Sequence, residues 1–267
     1  VHTIGAVQIL GAFLFALVGL TVGSFLNVCI DRLPRGESVV RPPSHCDGCQ
    51  RRLGVRDLIP VISYLQLRGR CRHCGASIPR KLLWVELVTG AIFGLLFWRY
   101  GLSLELGVLI FYACLFIIIF VIDLEHQLIL NRVVYPAMVV ALLLALAPLP
   151  WLGEGMTDRL ASAGLGAGVG FFLFLLLAVI SRGGMGWGDV KLAGLIGLAT
   201  GFPLVVFSVV LAAVLGILAA AVMAAARRRK FRQALPFGPF LAVSTMITLV
   251  WGSQILGWYQ GLMPVAG

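Results

Sequence analysis

Phe171-Phe-Leu-Phe-Leu-Leu-Leu-Ala-Val-Ile-Ser-Arg-Gly-Gly-Met-Gly-Trp-Gly-Asp-Val-Lys191 decides the fold. Ten apolar residues run into a glycine-rich break, and a second apolar run follows over 192–199. Runs of this kind recur along the chain and approach the roughly 20 apolar residues that cross a hydrocarbon core. The break carries Gly183, Gly184, Gly186 and Gly188, and then Asp189. An aspartate at membrane depth is costly and marks a functional site that needs a partner. The matching acid is Asp123, which ends another apolar span in Phe120-Val-Ile-Asp-Leu-Glu125. Two carboxylates at one face can share a proton and activate water. The plainer reading makes Asp123 and Glu125 ordinary helix-end residues. Acids are disfavoured at a helix C-terminus, however, so Asp123 calls for a specific hold.

Composition agrees with a polytopic, all-α membrane protein. Of 267 residues, 60% are hydrophobic, and the mean hydropathy is +1.00. Spans are expected near 4–28, 82–98, 104–122, 133–150, 160–181, 190–201, 204–226 and 237–260, about eight in all. The first is too long for a secretory leader and reads as a retained helix. The formal charge is +10, and 19 of the 21 Lys and Arg lie in the loops 29–81, 123–132, 182–191 and 227–236. Those loops are therefore expected to be cytoplasmic, which places both aspartates at the cytoplasmic face. The basic excess then needs no nucleic acid. Arg227-Arg-Arg-Lys-Phe-Arg232 reads as a topology anchor that also attracts anionic lipid.

The chain organises as a first transmembrane helix (1–30), a soluble segment (31–81) and a transmembrane bundle (82–267). The soluble segment holds Cys46-Asp-Gly-Cys49 and Cys71-Arg-His-Cys74, two CxxC pairs 21 residues apart. That spacing matches a four-thiolate structural zinc site. A segment of this size with few large apolar side chains needs such a staple. A disulfide or redox dithiol is the weaker reading in a reducing compartment. His45 and His73 flank the ligand cysteines and read as bystanders, since four thiolates already complete the set. Cys29 and Cys114 read as buried thiols.

Other polar residues carry two readings each. Ser24 and Asn27 share a helix face, either hydrogen-bonding to a neighbouring helix or touching a substrate or cofactor. Glu86, just inside the second span, reads as a structural cap or as a buried partner for an arginine. His126 reads as a surface residue. Gly164, Gly166, Gly168 and Gly170 form two small-xxx-small pairs for helix packing. No internal repeat is evident. The run after Asp189 is short for an upright span, so either it is tilted or the glycine-rich entry dips into the membrane beside a wet cavity.

Gly23-Ser-Phe-Leu-Asn27, the paired CxxC module, Ile62-Ser-Tyr-Leu65, Arg68-Gly-Arg-Cys-Arg72, Gly186-Trp-Gly-Asp-Val-Lys191 and Pro236-Phe-Gly-Pro239 together resemble the bacterial type IV prepilin peptidases, membrane aspartic proteases of the GxGD group. The resemblance covers nearly the whole chain in order. One departure is Leu128-Ile-Leu-Asn131, where members of the family usually carry a proline. The resemblance implies a catalytic pair of Asp123 and Asp189. The loop that holds Gly186, Gly188 and Lys191 is expected beside the substrate, because its glycines leave room for a substrate backbone where any Cβ would intrude. It implies a multi-pass protein of the bacterial inner membrane that removes the basic leader of prepilins and pseudopilins at the cytoplasmic side. It also implies methylation of the new N-terminus from S-adenosylmethionine, for which no motif is evident. The competing reading is a proton-coupled transporter with the two aspartates as a relay. It leaves the zinc module unexplained, as well as the placement of both acids at one face. A non-enzymatic scaffold leaves the glycines around Asp189 without a purpose.

Overall fold

The computed structural model describes residues 2–181, 185–225 and 236–262, with side chains over 5–181, 185–225 and 236–258. Gly183, Gly184 and the basic run 227–232 lie outside the described residues. Nine α-helices are found among those described: α1 His2–Arg32, α2 Ile62–Gln66, α3 Arg80–Tyr100, α4 Leu104–His126, α5 Asn131–Leu144, α6 Met156–Ile180, α7 Trp187–Thr200, α8 Leu204–Ala225 and α9 Gly238–Leu262. Each expected span corresponds to a helix. Six of them (α1, α3, α4, α6, α8 and α9) are long and apolar enough to cross a membrane. With 14 residues each, α5 and α7 reach only about 21 Å at 1.5 Å per residue, short of a core about 30 Å thick. Six helices, rather than eight, therefore have the length of a span.

The chain divides into two compact units, 1–118 and 119–267, with the boundary inside α4. In the first unit α1 packs along α3. Their approach is set by small residues, because a Cβ on Gly19 would lie 2.8 Å from the Gly90 Cα, and one on Gly23 would lie 2.8 Å from the Glu86 Cα. Gly19 and Gly23 are spaced as in a small-xxx-small dimer motif. The sequence reading had placed that motif only in α6.

In the second unit α7 packs against α5, α6, α8 and α9. Val190, Leu192, Ala193, Leu195, Ile196, Ala199 and Thr200 are all buried. A helix that is apolar on every side belongs inside protein. The short run after Asp189 is thus a central helix of the second unit, while residues 182–184 of its glycine-rich entry lie outside the described residues. Close packing with α6 uses one of the two glycine pairs there. A Cβ on Gly166 would meet the backbone of Gly197 and Gly201, and one on Gly170 would meet the Ala193 carbonyl. Gly164 and Gly168 face open space. Between α8 and α9 the glue is polar: Ser208 shares hydrogen bonds with Ser244 and Thr245, and all three are buried.

Candidate active site and metal centre

The four CxxC sulfurs lie within 4.8 Å of one another, with Cys46 Sγ and Cys74 Sγ 3.7 Å apart. Tetrahedral Zn–S bonds of about 2.3 Å require sulfurs about 3.8 Å apart. The cluster therefore fits a single tetrahedral metal ion, and no disulfide joins these cysteines. Two backbone turns of the same design build it. Cys46 N–H donates to Arg51 O, and Gln50 N–H donates back to Cys46 O; Cys71 N–H donates to Ala76 O, and Gly75 N–H to Cys71 O. Antiparallel bridges close each turn, His45 with Arg52 and Arg70 with Ser77. The segments 45–52 and 70–77 thus repeat one knuckle, a repeat that side-chain identities hide. Backbone N–H groups of Cys74 and His73 aim at the Cys71 sulfur and pull its thiol down to about 6. That favours the thiolate a metal requires. Neither histidine joins the cluster: His45 Nδ1 faces Pro43 O, and His73 Nδ1 faces the Arg51 guanidinium.

In the second unit Asp123 sits in the last turn of α4 and Asp189 in the first turn of α7. Asp123 is only 5% exposed, and its Oδ2 has no hydrogen-bond partner among the described residues. The hold that its helix end lacks comes from the start of α9. The Gly238 N–H faces the Asp123 carboxyl, and a Cβ on Gly238 would lie 2.5 Å from Asp123 Oδ2. Asp189 lies outside the six spans. Burial and the neighbouring Asp123 charge push its carboxyl up to about 6, against a hydrogen bond from the Gly186 backbone. The two acids are therefore close enough to resist joint ionisation.

The surrounding residues are held mostly by their own chain. A Cβ on Gly188 would lie 2.8 Å from the Ile129 Cβ, so packing within the unit already accounts for that glycine. Lys191 Nζ donates to Asn131 Oδ1 at 2.9 Å and lies over the Tyr135 ring, which ties α7 to α5. Gly186 has an ordinary φ of −77°, and its nearest neighbour to a Cβ is Asp189 Oδ2 at 3.7 Å. His126 is exposed.

Two polar groups of the first unit are placed by the α1–α3 crossing. Asn27 Nδ2 donates to the Leu82 carbonyl of α3, the packing role read from the sequence. Glu86 is buried and accepts a hydrogen bond from Val61 N–H at 2.8 Å and another from Ser24. Among the described residues its partners are thus the Val61 backbone and the Ser24 hydroxyl rather than an arginine. Sequence reading missed Gly238 as a neighbour of Asp123. Its signal was the Pro236-Phe-Gly-Pro239 stretch, which opens a helix with a glycine between two prolines.

Residues 17–100 match the model of the bacterial peptidase A24 N-terminal domain, and residues 109–221 match that of the type IV leader peptidase family. A prepilin leader peptidase/N-methyltransferase of Bacillus subtilis (strain 168) is 33% identical, with 91% of this chain and 95% of that protein aligned. The chain belongs to the type IV leader peptidase family. Relatives of the same name in Dichelobacter nodosus and Neisseria gonorrhoeae are 32% and 35% identical. The alignments cover 96% of both chains in the first case and 88% of both in the second. No solved structure matches the chain significantly. Both aspartates fall within the stretch matched by the leader peptidase model, and the cysteine cluster falls within the N-terminal domain match. The transporter reading finds no support in these matches.

Proposed function

We propose that the chain is an aspartic endopeptidase that removes the basic leader from type IV prepilins and pseudopilins at the cytoplasmic face of the bacterial inner membrane. The observation that carries the reading is the pairing of Asp123 with Asp189, in which the first charge raises the second carboxyl. Such a pair holds one proton between two acids. Asp123, against the Gly238 N–H at a helix N-terminus, is the member that takes a proton from water. Asp189, whose carboxyl burial and the neighbouring Asp123 charge push up to about 6, is the member that holds the shared proton and polarises the scissile carbonyl. The roles then exchange as the amine leaves. The orphan Oδ2 of Asp123 is where the attacking water would find its acceptor. Gly186, Gly188 and Lys191 border the substrate in this reading. Gly186 offers the free space, while Gly188 and Lys191 fix the loop against α5 and its preceding turn.

Cys46, Cys49, Cys71 and Cys74 would hold structural zinc, the ion that four thiolates in a closed tetrahedron favour. The relatives' second activity extends the proposal to methylation of the new N-terminus. S-adenosylmethionine would supply an electrophilic methyl group. Replacing Asp123 or Asp189 with asparagine should abolish leader cleavage in purified protein of normal yield and melting temperature. Near wild-type cleavage by either variant would refute the pair.

A further inference from the structure

The linker between the two cysteine knuckles runs Arg56-Asp-Leu-Ile-Pro-Val-Ile-Ser-Tyr-Leu-Gln-Leu-Arg68. It leaves Leu58, Ile59, Ile62 and Leu65 exposed, the last by 62%. Ile62 and Leu65 are three apart on α2 and share a face. The residues between them, Ser63 and Tyr64, line the hollow under the knuckles, so the apolar face points away from the protein. Neighbouring exposed apolar side chains of this kind mark an interaction surface. The cleavage site and the metal cluster do not use them.

Three features fix the level of this face along the α1–α3 pair. The Asp31–Lys81 ion pair, at 2.8 Å, joins the ends of the two spans and is partly exposed. Trp84, further into α3, is 63% exposed, and an outward Trp near a span end sits at the lipid headgroup level. Beyond Trp84, Glu86 accepts from Val61 N–H and from Ser24 of α1. Glu86 lies about 9 Å past the first residue of α3 at 1.5 Å per residue, and its side chain leans back over part of that distance. Ser24 lies about 12 Å before the end of α1 at the same rise. The turn at Val61 therefore reaches past the ion pair to the level of Trp84. Val61 is β-branched with φ 62°, a conformation that persists only where its surroundings impose it. The bond to Glu86 imposes it here.

From this placement we infer that the linker is an in-plane membrane anchor: Ile59, Ile62 and Leu65 enter the lipid leaflet beside α1 and α3, and Arg56 and Arg68 bind the phosphates of anionic lipid headgroups. Amphipathic segments bind bilayers in this way, with the apolar face buried about 5–10 Å and the cations among the headgroups. The two arginines stand at the ends of the apolar stretch and are exposed. The acid beside them, Asp57, is taken by Arg72, so the stretch meets the lipid with net positive charge. A prepilin, the rival occupant under the reading above, brings a basic leader that these arginines would repel. Anchoring at this point seats both knuckles at the headgroup level, since the linker joins one to the other.

The test uses the full-length protein in nanodiscs of equal parts phosphatidylcholine and phosphatidylglycerol with matched acyl chains. A photoreactive benzophenone side chain replaces that of Ile62, and adducts are identified by mass spectrometry. Lipid adducts should form at a yield near that from the same group at Leu14, an exposed position within α1. The yield should be at least tenfold above that from exposed Gln50 in a knuckle. Phosphatidylglycerol adducts should outnumber phosphatidylcholine adducts at least threefold, and Arg56→Gln with Arg68→Gln should bring the ratio near one without loss of metal. If the protein altered at Ile62 does not assemble, the same group at Leu65 reads the same face. Yields at both positions no higher than at Gln50 overturn the inference. Transfer of the adducts to an added prepilin or to a second copy of the chain overturns it too, since the face would then dock protein. An even lipid ratio without the arginine substitutions overturns the headgroup contact. None of these readouts needs cleavage, so failure of the peptidase reading would leave them unchanged.

Discussion

The cysteine knuckles and the α6–α7 contact solve the same problem by opposite means. Both must hold a functional segment rigid. The knuckles have almost no apolar core, so backbone turns and four sulfurs fix the segment, and the rigidity is local to a few atoms. Along the middle of the α6–α7 contact the fastening is close backbone approach, with hydrogen bonds among the described residues only between Ser162 and Phe202, just past the end of α7. Gly166, Gly170 and Gly197 bring two helices together until backbone meets backbone, and the rigidity comes from the absence of side chains. The first device depends on what is bound, the second on what is missing. Substitutions should therefore act in opposite ways: adding an atom should damage the helix contact, whereas freeing a backbone dihedral should improve a knuckle.

The largest effect is expected where an added atom meets the chemistry. Gly238→Ala puts a methyl group against Asp123 Oδ2, and a displacement of about 1 Å at a reacting group can cost on the order of 100-fold. Leader cleavage should fall by about that factor in kcat, measured at saturating substrate, while the melting temperature changes little. If kcat stays within threefold, Gly238 does not set the position of Asp123.

Next come the helix glycines. Gly166→Ala should overpack the α6–α7 contact and destabilise by about 1–3 kcal/mol, read as a lower melting temperature in detergent. Gly168→Ala, which faces open space, should change it by less than about 0.5 kcal/mol. Equal effects in the two variants would mean that α6 and α7 do not pack through this face.

A smaller, spectroscopic effect tests the aspartate pair. The Asp189 carboxyl stretch should titrate near pH 6 in the wild type. In Asp123→Asn the neighbouring negative charge is gone, so the ionised form of Asp189 is less opposed and its titration should move to lower pH. Burial persists and should keep it above an ordinary aspartate. An unmoved titration would mean that the two carboxyls do not sense each other.

The smallest effect belongs to the knuckles. Gln50 and Gly75 occupy matching positions with φ of 55° and 71°, a region where a side chain is strained. Gln50→Gly should relieve that strain and raise the stability of the metal-loaded chain by about 0.5–1 kcal/mol. A loss of stability would show that the Gln50 side chain, which donates to Asp47 O, outweighs the strain.

Much of this was legible in the residues. Hydrophobic runs located the helices because each span must satisfy its backbone internally. The cysteine spacing located the four-sulfur cluster because each CxxC turn brings two sulfurs to one place. Asp123 and Asp189 stood out because acids are rare beside such runs. What remained hidden depended on contacts between distant segments. The Gly238–Asp123 approach joins the end of α4 to the start of α9, and Pro236-Phe-Gly-Pro239 marks a helix start without naming the neighbour that it meets. The Glu86–Val61 bond joins a helix to a turn 25 residues earlier. The knuckle repeat lies in backbone hydrogen bonds, while the paired side chains, Gln50 with Gly75 and Arg51 with Ala76, share no chemistry.

The backbone-to-backbone seam between α6 and α7 also has a mechanical consequence. Two rods locked along a seam without side chains have no soft layer to shear, so they respond to load as one strut. Asp189 is mounted on the end of that strut. Asp123 is mounted differently, at a helix end held by the start of α9 through Gly238, so a load along the strut moves Asp189 without moving its partner in step.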